Sequence, residues 1–309
     1  MSKMKSERHH WWPQCVSERW TDTTGGVHWL LPTGEERHAR PTSFGMIGNG
    51  HFIKLGRQPG QSTSWDQNFE TVFQQADDRF SAVIDWLECL VFEPRMGRPL
   101  RERYLPQSCS NELFGHMVES LTSLAVRSPM TRETCVSLAE HLRGRLPERE
   151  RNSLIALNLR DIHVRAVKAF GVSGKAAAIL SPDRELVFGD GFFHNLNSLT
   201  GPPSQPRILA PLTPRLAVLY AIPMRYRDEP RLSTLVIDAD EADVLNQVVQ
   251  IYARQALFYR SESPKVTDEF RANEHRQFIA PGHVVDEMIH AMPGVPERNT
   301  TCDLLGWPA

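Results

Sequence analysis

The sequence predicts an α+β fold, in which an N-terminal β unit and a C-terminal mixed sheet pack against about four helices. Three observations carry this. Short β-type runs come first, a block of helical apolar periodicity follows, and short apolar runs bounded by Pro, Gly and Asp return after it. Blocks segregated in this way point to α+β and not to the strict alternation of a doubly wound sheet. The chain has 309 residues, 40% hydrophobic, which is enough to bury one sizeable core.

The elements follow in order. Gly25-Gly26 is a turn signal, and Val27-His28-Trp29-Leu30-Leu31 after it reads as a strand. Pro32-Thr33-Gly34 turns the chain, and His51-Phe52-Ile53-Lys54-Leu55 is a second strand; residues 57–64 read as a linker. Trp65, Phe69, Val72, Phe73, Ala76, Phe80, Val83, Ile84, Leu87 and Leu90 recur at spacings of three and four. That stripe predicts a helix over 65–92, ended by Pro94 and Pro99. Apolar faces predict further helices over 111–126, 131–143 and 152–170. Pro129 breaks the first of these, and Thr131 is read as the cap of the next. Strands are expected at 176–180, 186–188, 207–209, 216–222, 235–237 and 257–259. A helix starts at Asp238 or Asp240 and runs to about residue 255. Residues 9–260 thus read as a single domain. Residues 261–309, polar and interrupted by prolines, read as a peripheral tail.

Composition narrows the function classes. The formal net charge of -2 implies no global steering toward nucleic acid, so a nucleic-acid partner is left open but not indicated. Five scattered cysteines with no C-x-x-C pair argue against a disulfide scaffold or zinc knuckle and for a reducing, cytoplasmic setting. The first eight residues lead into histidines, so no signal peptide is expected. No run approaches the ~20 apolar residues of a membrane span. Phosphate-loop, dinucleotide, nucleophile-elbow and H-E-x-x-H patterns are absent. The sequence therefore names no cofactor and leaves metal use open.

The densest chemistry sits at His10-Trp11-Trp12-Pro13-Gln14. Imidazole titrates near working pH, which makes His10 a candidate general base or metal ligand. Gln14, four residues on, would share a helical face with it and orient a substrate or water. The other reading of these residues is that His10 bonds backbone while the tryptophans pack into the core.

This opening, closing at Trp20, resembles the H-Y-V-P-Q start of a family described as domain of unknown function 4238. Further segments match in order: Gly26 to Leu30 with the Thr33-Gly34 turn and His51-Phe52-Ile53; Asp77, where the family's long helix has glutamate; Arg127-Ser128-Pro129, resembling R-T-P; Val187 to Gly191, resembling a strand that ends in S-D-N-P; Pro211 to Pro214, resembling P-L-S-P; and Leu245-Asn246. The resemblance covers residues 9–260. It implies that His10, Gln14, Arg127, Asp190 and Asn246 are the polar residues to follow. Gly189-Asp190-Gly191-Phe192 departs from the family's S-D-N-P, and Asp77 replaces its glutamate, so this member's activity is altered or lost if the family pattern is catalytic.

Two functional expectations result. In the first the chain is a His-dependent or metal-assisted hydrolase acting on a phosphodiester or nucleic acid. His10 is then the base, Asp190 its orienter or a metal ligand, Arg127 the anion holder, and Gln14 and Asn246 the positioning groups. In the second it is a non-catalytic binding module, and the same residues form a recognition pocket or a structural network. Weaker candidates are His283, Asp286, Glu287 and His290, which would share one face of a short helix, and two Arg-rich loops at 95–103 and 143–151. An exposed amphipathic helix and solvated surface are the better readings of these.

Overall fold

The computed structural model describes residues 8–44, 46–48, 52–53, 67–68, 71–196, 205–275 and 284–297, the short strands at 8–10, 46–48, 52–53 and 67–68 by backbone pairing alone. The N-terminal region runs β1 (Arg8–His10), α1 (Gln14–Ser17), β2 (Val27–Leu30), β3 (Glu36–Ala39), β4 (Met46–Gly48), β5 (Phe52–Ile53) and β6 (Gln67–Asn68). The helical block comprises α2 (Thr71–Glu88), α3 (Leu100–Arg103), α4 (Asn111–Arg127), α5 (Pro129–Arg143) and α6 (Glu148–Phe170), with the short strand β7 (Leu105–Gln107) inside it. The C-terminal region runs β8 (Lys175–Leu180), β9 (Phe188–Gly189), β10 (Arg207–Thr213), β11 (Leu216–Ala221), β12 (Leu232–Val236), α7 (Ala239–Tyr252), β13 (Leu257–Tyr259), α8 (Asp268–Arg271) and α9 (Val284–Ala291). The fold is α+β.

The N-terminal hairpin and the C-terminal strands meet in one four-stranded sheet of order β3-β2-β13-β9. A five-stranded sheet has the order β10-β11-β8-β12-β7. It is mixed: β8 pairs antiparallel with β11 and parallel with β12. The strands β8, β10, β11 and β12 are buried along almost their whole length, as expected of a sheet covered on both faces. Tyr220 on β11 meets Phe114 of α4 and Phe170 of α6, each at 6.3 Å between ring centroids, so these helices cover one face. Trp12 has no exposed surface. It stacks on Phe188 at 4.7 Å and lies 4.6 Å from Phe258, while Trp20 Nε1 donates to the Leu212 carbonyl at 3.1 Å. The opening aromatics therefore pin the N-terminal segment to both sheets.

The structure differs from the sequence expectations at three points. The long helix runs Thr71–Glu88, and Gln67–Asn68, inside the span read as helix, pair with Phe52–Ile53 as a strand; Trp65, Phe69 and the 57–64 linker lie outside the described residues. Pro129 starts α5 instead of only ending α4. Ser128 caps both helices: its side chain accepts from the Thr131 amide, and Pro129 occupies the first turn, where its missing N–H costs nothing. The described parts of the segment after 260, residues 261–275 and 284–297, pack into the domain and are not a peripheral tail. Phe270, Val285, Met288, Ile289, Met292 and Val295 are buried, Tyr104 Oη donates to the Met288 carbonyl at 3.0 Å, and Asp286 is paired with Arg207. An apolar face with one buried, paired acid is core and not a metal-binding surface; His283 lies outside the described residues. No helix among the described residues is long and apolar enough to cross a membrane.

Candidate functional site

Arg127, at the end of α4, is 2% exposed. Its guanidinium forms a two-pronged pair with Asp77 of α2, Nη1 to Oδ2 at 2.9 Å and Nη2 to Oδ1 at 2.5 Å. Its Nε donates to the Ser123 carbonyl at 3.4 Å, and the group lies 5.0 Å from the Phe73 ring centre. The fork is thus turned to a carboxylate inside the protein, and Arg127 is not placed as a holder of an external anion. Two positions separated by fifty residues in sequence, both singled out by the resemblance, are joined directly.

The opening segment reaches the same place. Helix α1 packs on α2, and Cys15 Sγ lies 3.9 Å from the Asp77 carbonyl oxygen. Burial, then the Asp77 charge, push the Cys15 thiol up to about 11, so at neutral pH it is protonated and a poor nucleophile. Gln14 is exposed and donates to Glu18 within its own turn at 2.8 Å. His10 lies on β1, opposite Met46 of β4.

A third wall comes from α6. His163 is 3% exposed, sits edge-on to Phe73 at 4.7 Å, and has no hydrogen-bond partner at either ring nitrogen among the described residues. Burial, then the Arg127 charge, push its pKa down to about 4, which keeps the ring neutral. Ser120 and Ser123 share the Arg127 face of α4 by helical spacing, and their hydroxyls also lack partners among the described residues. The junction of α1, α2, α4 and α6 therefore combines a neutralised ion pair with buried groups able to donate and accept. Such orphaned groups are uncommon and destabilising unless something satisfies them.

Asp190 and Asn246 do not join this junction: among the described residues no hydrogen bond or ion pair links either of them to Arg127. Asp190 is 3% exposed and clamps the turn after α7. Oδ1 accepts from the amides of Arg254 at 2.8 Å, Gln255 at 3.1 Å and Ala256 at 3.4 Å, and Oδ2 faces His275 Nε2 at 3.6 Å. Burial raises its pKa, against the pull of His275 and those amides. The flanking glycines serve contact: a Cβ on Gly191 would collide with the Tyr252 carbonyl. Asn246 accepts from the Val187 amide and donates to the Glu185 carbonyl, both at 2.9 Å. Both residues hold backbone; Asp190 is sealed and satisfied, not placed as a general-base partner or metal ligand.

A Ser-His arrangement next to Arg127 is also structural. Ser128 Oγ and Thr131 Oγ1 lie 3.4 and 3.5 Å from His194 Nε2. His194 Nδ1 accepts from the Leu196 amide, so in the neutral ring Nε2 carries the hydrogen and cannot take a proton from Ser128. Burial, then His275, push the His194 pKa down to about 3, and Ser128 already donates to the Ala125 carbonyl at 2.8 Å.

Sequence reasoning missed His163, His194 and His275. A histidine inside the apolar pattern Ile155, Leu159, Ile162, Ala166 was the available signal for His163. In the arginine-rich loops Arg103 pairs with Glu241, Arg151 with Glu140 and, on the exposed surface, Arg143 with Glu150. Among the described residues, ligand atoms converge as a metal would need at Asp22, in the turn before β2, with His28 of β2 and His38 of β3. No family model, curated protein or solved structure matches the chain.

Proposed function

We propose that the chain is a non-catalytic binding module that takes up a small polar ligand at the junction of α1, α2, α4 and α6. The observation that carries this is His163, a buried neutral imidazole with both nitrogens unpartnered among the described residues; on α4 the Ser120 and Ser123 hydroxyls likewise lack partners among the described residues. A ligand that both donates and accepts would satisfy these groups, whereas the Asp77–Arg127 pair, already neutral, sets the wall. The test is a thermal-shift screen of nucleosides, sugars, amino acids and phosphodiesters on the native chain and on His163→Phe. A ligand that raises Tm in the native chain only supports the reading; equal shifts in both place binding elsewhere.

One observation favours a second reading, a His-dependent hydrolase acting on a phosphodiester. Asp190 is sealed, whereas the Asp77 side chain keeps 34% of its surface exposed, so Asp77 and not Asp190 would be the acid of such an enzyme. Hydrolysis of bis(p-nitrophenyl) phosphate that His10→Ala and Asp77→Asn abolish, with folding intact, would establish it. Its absence in the native chain leaves the binding reading.

A further inference from the structure

We propose that Asp22, His28 and His38 form a binding site for a divalent transition metal of the zinc class. The register of the β2–β3 hairpin sets His28 directly opposite His38, which puts the two imidazoles on one face of the pair. Asp22, in the turn before β2, completes the set. Its Oδ1 is occupied, accepting from the Thr24 amide at 2.8 Å, the Thr24 hydroxyl at 2.7 Å and the Gly26 amide at 3.1 Å. That leaves Oδ2 aimed at both rings, 3.0 Å from His28 Nε2 and 3.1 Å from His38 Nε2. All three ligand atoms lie within 4.8 Å of one another. Zinc bonds to histidine nitrogen and carboxylate oxygen of about 2.0–2.2 Å give a tetrahedral ligand-to-ligand edge of roughly 3.3 Å. Closing the set on an ion therefore asks for shifts of only a few tenths of an ångström along these two edges.

Each ligand is held by something other than the metal. Tyr259 stacks on His28 at 5.3 Å between centroids. The His38 ring lies over Gly26, where a Cβ would collide with it, so the glycine makes room for the imidazole. The Thr24 and Gly26 donors fix the Asp22 carboxylate. Two imidazoles and one carboxylate suit zinc-class ions over magnesium or calcium, and three protein ligands leave a fourth position for water. The groups are half-buried or exposed at the hairpin edge, so an ion can reach them. This site is independent of the proposed ligand junction.

The experiment uses the full chain stripped with EDTA and titrated with Zn²⁺ by calorimetry, with Co²⁺ visible absorption as a geometric readout. One equivalent should bind, with the intense absorption of tetrahedral Co²⁺. Loss of supporting partners alone costs metal sites about 10–100-fold in affinity, so His38→Ala and His28→Gln should each weaken binding at least about a hundredfold. Asp22→Asn, which keeps an oxygen for the turn while losing the anionic ligand, serves as the variant that preserves the loop, and it too should weaken binding. Circular dichroism in EDTA checks that all three remain folded. Unchanged Zn²⁺ affinity in His38→Ala and Asp22→Asn, or no stoichiometric uptake by the native chain, would overturn the proposal and leave the three residues as a hydrogen-bonded clamp on the hairpin.

Discussion

At the scale of single residues, chemistry-bearing side chains here divide by what they face. Asp190 and Asn246 carry the functional groups of a catalytic site, yet each spends them on backbone. Asn246→Ala would leave the Val187 amide and the Glu185 carbonyl without their side-chain partner. Asp190→Ala would leave the amides after α7 without theirs. Each unsatisfied buried group costs about 1–3 kcal/mol, so each variant should lose on the order of 2–4 kcal/mol in urea denaturation. Gln14→Ala, at an exposed site, should change stability by less than about 0.5 kcal/mol. If Asp190→Ala or Asn246→Ala proves as neutral as Gln14→Ala, the structural roles assigned to them are wrong.

At the scale of elements, caps and ion pairs decide where helices begin and what they fasten. Asp238 accepts from the Glu241 amide at 2.9 Å, and Glu241 returns a bond to the Asp238 amide at 3.0 Å, a closed capping box. Glu241 also takes both prongs of Arg103, each at 2.6 Å, and so ties the end of α3 to the start of α7. Losing a cap costs about 1 kcal/mol, whereas breaking a largely buried ion pair costs about 3–5 kcal/mol. Because the Glu241 carboxylate is itself about a third exposed, the lower end of that range applies. Glu241→Ala should thus be clearly more destabilising than Asp238→Ala in thermal denaturation; equal losses would mean that Arg103 contributes little.

The same scale shows what the sequence made legible. Helices α4 to α7 were readable because their apolar stripes agree with the breakers around them, even where the cap was misplaced, as at Ser128, and β8, β11 and β13 because turn residues bound them. Strand β7 was not, since Leu105-Pro106-Gln107 carries a proline and exists only as an edge partner of β12. The depth of α9 was hidden because an acid on its buried face looks exposed until Arg207 is placed against it. At the site, Asp77 and Arg127 were visible through the resemblance alone, and Asp22, His28 and His38 converge through hairpin register, which local pattern does not encode.

At the scale of the whole molecule, buried neutral histidines couple stability to pH. Burial depresses His163 to about 4 and His194 to about 3, from an ordinary 6.5. Below about 6.5 the unfolded chain therefore binds protons that these two sites refuse, and stability falls as pH drops from that value toward 4. Each histidine contributes a slope of at most about 1.4 kcal/mol per pH unit in this window. Asp190 works in the opposite sense. Its raised pKa gives stability at low pH that is lost as pH rises through the folded value, and paired carboxylates add their own acid losses. Comparing a variant with the native chain cancels these shared terms. His163→Phe removes one refused proton and keeps a ring against Phe73, so its unfolding free energy, measured in urea from pH 4 to pH 7, should fall less steeply with acid. Parallel curves for the two proteins would mean that His163 is protonated in the fold near its ordinary pKa. The neutral, ligand-ready imidazole would then have to be abandoned, and with it the observation on which the binding reading stands.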